Sequence, residues 1–132
     1  MLEDFKVVPV VMGDQSKRNV ETLAKKLAEF SDEETLVVAS SDLSHFHSKS
    51  QADKLDSVVE KRVREFDFDA LQADLEKQVC EACGGGPIIV LMKAAKLKNF
   101  KHSSVLHRSD SGDVTGDNRE VVGYLSAVVY GD

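Results

Sequence analysis

Positive charge is in deficit along this chain, where 17 Lys and Arg face 23 Asp and Glu for a net charge of −6. That balance argues against a nucleic-acid footprint, which needs a basic face. The lysines that do cluster, Lys93, Lys96, Lys98 and Lys101, recur at the spacing of a solvated helix face. Long apolar runs are missing too, so nothing approaches the roughly 20 residues that span a bilayer. No signal-peptide pattern opens the sequence. Only two cysteines occur, and without a secretory signal they predict a soluble protein in a reducing cytoplasm. A second C-x-x-C, a G-K-[ST] ending and the closing Glu of a calcium loop are all absent, which removes the usual zinc-ribbon, P-loop and EF-hand readings. Internal repeats, low-complexity tracts and linkers are lacking as well. With 132 residues, 42% hydrophobic and 30% charged, the chain reads as one globular domain over residues 1–132.

What is present alternates strand with helix. Val7–Met12 reads as a short strand in which Pro9 marks an edge or irregular position. Val20, Leu23, Ala24, Leu27 and Ala28 then follow helical spacing. Leu36–Ser40 is an apolar run with the character of a buried strand. A second helix starts near Ser50, with Leu55, Val58, Val59, Val63 and Phe66 on its inner stripe. Asp67 or Asp69 caps a third, carrying Leu71, Leu75 and Val79. A fourth runs from Pro87 to about Leu97, after the glycines 84–86. Strands are expected over His102–His107 and Val121–Tyr130, joined by a Gly-, Asp- and Ser-rich loop. This β-α-β-α-α-α-β-β order predicts the α/β class, an α/β sandwich with a mixed sheet.

Chemistry concentrates at Asp42, His45 and His47, which lie within six residues directly after the Leu36–Ser40 run. In α/β proteins the loop beyond a strand's carboxyl end is where ligand and catalytic groups gather. A carboxylate beside an imidazole fixes its tautomer and equips it as general acid or base. The same residues are also usable as metal ligands, and a capping Asp with two solvated histidines is the plain structural alternative. Cys80 falls on the apolar stripe of the third helix and reads as a core residue. Cys83 precedes a glycine run and a helix N-terminus, a setting that favours a thiolate for metal or redox chemistry. A small residue in a tight turn is the alternative there.

Three segments occur in order: Ser40-Ser41-Asp42-Leu43-Ser44-His45; Ala82-Cys83-Gly84-Gly85-Gly86-Pro87-Ile88; and Asp110-Ser111-Gly112-Asp113-Val114-Thr115-Gly116-Asp117 with Val121-Val122-Gly123-Tyr124. Together they resemble the Memo family, whose bacterial members are named as protein B of the AmmeMemoRadiSam system. The resemblance implies a LigB-like α/β/α sandwich similar to class III extradiol dioxygenases. It also implies a metal, iron or copper, held by two histidines from the amino-terminal half and one cysteine. Carried over by position, Cys83 is that metal ligand, His45 the acid–base histidine and Asp42 its acidic neighbour. His47 and Cys80 become bystanders. The matched residues correspond only to the carboxyl-terminal half of a typical member, so the two histidine ligands have no counterpart here. The expectation is therefore an apparently truncated sandwich that by itself neither holds iron tightly nor performs dioxygenase chemistry. Exposed apolar surface should accompany it, leading to self-association or to docking of a missing amino-terminal segment. The partners the resemblance implies are AMMECR-type and radical SAM proteins, with a non-catalytic interaction module as the alternative function.

Overall fold

The computed structural model describes residues 4–132. Helix α1, Lys17–Phe30, is followed by the short strand β1, His45–His47. Helices α2, Lys49–Arg64, α3, Phe68–Glu76, and α4, Gly85–Leu97, come next. Strand β2, His102–Asp110, a single-turn helix α5, Gly112–Thr115, and strand β3, Val121–Tyr130, close the chain. The α/β class is as expected. The sheet is not mixed. Its three strands lie in the order β1-β3-β2, and both pairings are antiparallel.

The difference arises at the two expected strands that would have supplied parallel pairing. Val7–Met12 and Leu36–Ser40 pair with nothing among the described residues. Val8 and Val11 are 83% and 93% exposed, and Leu36 and Val38 are 78% and 75% exposed. A β-branched run favours extended backbone, but it becomes a strand only when a neighbour takes up its N–H and C=O groups. A cavity of about 540 Å³ is lined by Leu36–Ala39 together with Met92 of α4 and Leu125–Val129 of β3. On β3, Leu125 and Val129 pack against the core while Tyr124, Val128 and Tyr130 stay substantially exposed. One face of β3 is thus partly uncovered among the described residues.

The core joins Val20 and Ala24 of α1, Val59 and Val63 of α2, Leu71 of α3, and Ile89, Val90 and Met92 of α4. Leu43 and Cys80 complete it from the connecting segments. Fully burying an aliphatic side chain of this size stabilises by about 1.5–3 kcal/mol, so this cluster dominates the fold. Asp67 caps α3 as expected, its Oδ1 accepting the Ala70 N–H at 2.9 Å. Three helices share one ending. Phe66, Gln78 and Asn99 each take positive φ, and the N–H groups of Asp67, Val79 and Phe100 reach back to Arg62, Asp74 and Ala95. This is the Schellman closure, built here without glycine. It stops α3 at Glu76, short of Val79.

The Asp- and Ser-rich loop is tied down by its own carboxylates. Lys49 bridges Asp110 and Asp113, which holds the Asp113 carboxyl below its usual range and the Lys49 ammonium above its own. On α2, Asp56 is 2% exposed and accepts the Ser44 N–H at 3.0 Å. Burial pushes its carboxyl up, opposed by that hydrogen bond and by Arg108. Among the described residues no helix is long and apolar enough to cross a membrane.

Candidate functional site around Cys83

Two distant segments meet here through reciprocal bonds. The Cys83 N–H donates to the Asp42 carbonyl at 3.1 Å, and the Asp42 N–H donates to Cys83 Sγ at 3.2 Å. Ser41 closes the junction: its hydroxyl donates to the Asp42 carbonyl at 2.7 Å and accepts the Gly84 N–H at 2.8 Å. The approach demands glycine at 84. A Cβ there would lie 2.5 Å from the Ser40 carbonyl oxygen and 2.7 Å from Ser41 Cβ. Flexibility of the triglycine turn is therefore the smaller part of its purpose. Proximity is the larger part.

His45 leads away from this junction on β1. Its Nε2 is 3.6 Å from Asp42 Oδ2, an ion pair when the ring is protonated but long for a hydrogen bond. His47 sits closer to a carboxylate, with its Nε2 at 3.0 Å from both Glu81 oxygens. Between the two rings Phe46 has φ 59°, and the pairing with β3 shifts register there. Such an irregularity re-aims side chains that a regular strand would send to one face. His45 and Cys83 line one cleft of about 480 Å³, shared with Gln15, Leu43, Glu81 and Ala82. Asp42, His45 and Cys83, all singled out from sequence, are thereby brought together.

The two thiols differ sharply. Cys80 is buried, and burial pushes its thiol up to about 11. Cys83 is exposed and accepts a main-chain N–H at sulfur. The helix N–H groups expected to face that sulfur are used elsewhere: Gly84 donates to Ser41 and Gly86 to Gln15. Its nearest donor comes from Asp42 instead.

Metal-donor chemistry is limited. Among the described residues no group of three or more His, Cys, Asp or Glu side chains is disposed to hold an ion. Cys83 supplies a suitable soft donor, but the residues present do not amount to a complete site.

A profile described as Memo-like protein matches residues 1–128. The chain belongs to the Memo-like family. A MEMO1 family protein of Methanobrevibacter smithii is 37% identical over 128 residues, covering 95% of this chain and 45% of the relative. One from Methanosarcina mazei is 32% identical over 129 residues, covering 96% and 48%. Another, from Thermotoga petrophila, is 37% identical over 131 residues, covering 96% and 45%. This Memo-like chain spans about half the length of these relatives. Gln15, Glu81 and Asp56 are not singled out from sequence, and Ser41 enters only as part of the Ser40–His45 motif.

Proposed function

We propose that this Memo-like chain supplies one wall of a metal-binding site, with Cys83 as thiolate ligand, His45 as the proton-transfer group and Asp42 as its acidic neighbour. The supporting observation is the reciprocal Asp42–Cys83 bonding, which joins Cys83 to the segment that carries His45, both residues lining a single cleft. A thiolate is a strong soft donor, and an imidazole beside a carboxylate is equipped as a general acid or base. The remaining ligands come, on this reading, from polypeptide beyond the described residues. Iron and copper are the metals in view, and no reaction step is assigned through either. Dioxygenase catalysis by this chain alone is outside the proposal, since that chemistry needs a metal with open positions and a complete ligand set.

A titration with Co(II), followed in the near ultraviolet, tests this reading. A weak thiolate-to-metal band is expected, lost in Cys83→Ala and retained in Cys80→Ala. Absence of the band, or its survival in Cys83→Ala, would refute the ligand assignment. Tight stoichiometric iron on the purified chain would refute the incomplete set.

A second reading, a protein-interaction module working with AMMECR-type and radical SAM partners, is favoured by the exposed apolar residues Val7, Val8, Val10, Val11, Leu36 and Val38. Pull-down with those two partner classes distinguishes it. Retention of both by wild type and loss with Val38→Asp supports the module, and retention by neither removes it.

A further inference from the structure

Gln15 lies 68 positions before Cys83 yet closes over both sides of its turn. Its Nε2 donates to the Cys83 carbonyl at 2.9 Å, and its Oε1 accepts the Gly86 N–H at 2.7 Å. The N-cap of α4 is Gly84, which has no side chain to offer. Gln15 therefore provides, from a remote segment, the acceptor that Ser, Asp or Asn usually contributes at that position. Room is left for it: a Cβ at Gly86 would lie 2.8 Å from both Cβ and Oε1 of Gln15. Asp42 and Ser41 grip the same turn through Cys83 N–H, Cys83 Sγ and Gly84 N–H. The Cys83 peptide units are thus fixed on both sides, at a residue that lines the cleft.

We propose that Gln15 is a positioning residue for Cys83, holding its main chain so that Sγ keeps the Asp42 N–H as donor. The task requires one donor and one acceptor on one planar group, which an amide has. Glu retains the bond from Gly86 but has no donor for the Cys83 carbonyl. Ala loses both bonds. This inference rests on where Cys83 lies and not on metal binding, so a failed cobalt titration leaves it standing.

The test is amide hydrogen exchange in the full chain with chelator present, followed by NMR at Asp42, whose N–H is the sulfur's donor. In Gln15→Ala exchange at Asp42 should speed up about tenfold or more, because the turn that carries its acceptor is then held from one side only. In Gln15→Glu, which keeps the bond from Gly86, it should speed up about threefold or more. Asp14→Asn weakens the same turn, where Asp14 holds Ser16 and Asn19. It should leave exchange at Asp42 unchanged, which a merely structural effect would not. Exchange within about twofold of wild type in both Gln15 variants would overturn the proposal. Equal acceleration by Asp14→Asn would do the same. If Gln15→Ala fails to fold, Gln15→Glu, which keeps the bond to α4, carries the decision.

Discussion

Replacing Gly84 with alanine inserts a methyl group where the chain has no room. The new Cβ would meet the Ser40 carbonyl at 2.5 Å and Ser41 Cβ at 2.7 Å, against ordinary contacts near 3.5–4 Å. Backbone conformation is not the obstacle, since φ −102° and ψ 33° lie in territory open to alanine. Relief must come from separating the two segments, which stretches the Gly84-to-Ser41 and Asp42-to-Cys83 hydrogen bonds. Overpacking costs about 1–3 kcal/mol, and each hydrogen bond contributes about 1 kcal/mol. The chain can trade one loss against the other, and alanine recovers about 0.4–1 kcal/mol by restricting the unfolded state. The net expectation is a destabilisation of about 2–3 kcal/mol. Urea unfolding followed by far-ultraviolet circular dichroism measures it. Gly13→Ala is the control: nothing lies within 4 Å of its added Cβ, so it should stay within about 0.5 kcal/mol of wild type. If Gly84→Ala unfolds at the same urea concentration as Gly13→Ala, the close approach of the two segments is wrong.

Three further outcomes are expected. Because burial raises the Cys80 thiol to about 11 in the folded state from 9.0, the unfolded chain releases that proton first. Stability should therefore decline as pH rises between those values, by about 2 kcal/mol at most, and urea midpoints across the range should show a shallower decline in Cys80→Ala. Gln78 is exposed at φ 55°, so Gln78→Gly should stabilise by about 0.5–1 kcal/mol despite removing a side chain; a lower thermal midpoint would contradict the strained closure of α3. Charging the two exposed apolar segments with Val8→Asp and Val38→Asp together should reduce self-association in light scattering, and a wild-type chain that is monomeric at every concentration would show that they drive none.

Helices were the legible part of this sequence. The stripe of Val20, Ala24 and Leu27, and that of Val59, Val63 and Phe66, report packing against a core, and a helix makes its own hydrogen bonds once packed. Strands are different. Val121–Tyr130 met a partner and Leu36–Ser40 did not, although both carry the same β-forming composition. Partnership is a long-range property that composition does not encode. The three-residue strand His45–His47 went unseen because it is shorter than any useful alternation, and α5 lay hidden in residues typical of turns. At the site, Asp42, His45 and Cys83 stood out by residue type and neighbours. Gln15 and Ser41 did not. Their importance lies in bonds to residues 68 and 43 positions away, which no local window contains.

The Leu36–Ser40 stretch runs directly into Ser41 and Asp42, so one continuous ribbon of backbone has an unpaired margin at one end and the sulfur's hydrogen-bond donor at the other. A neighbour zipped onto that margin would damp the ribbon's motion, and amide exchange at Asp42 should slow in step with exchange at Val38. Quaternary assembly and reactivity of the thiol would then be two readings of a single mechanical element.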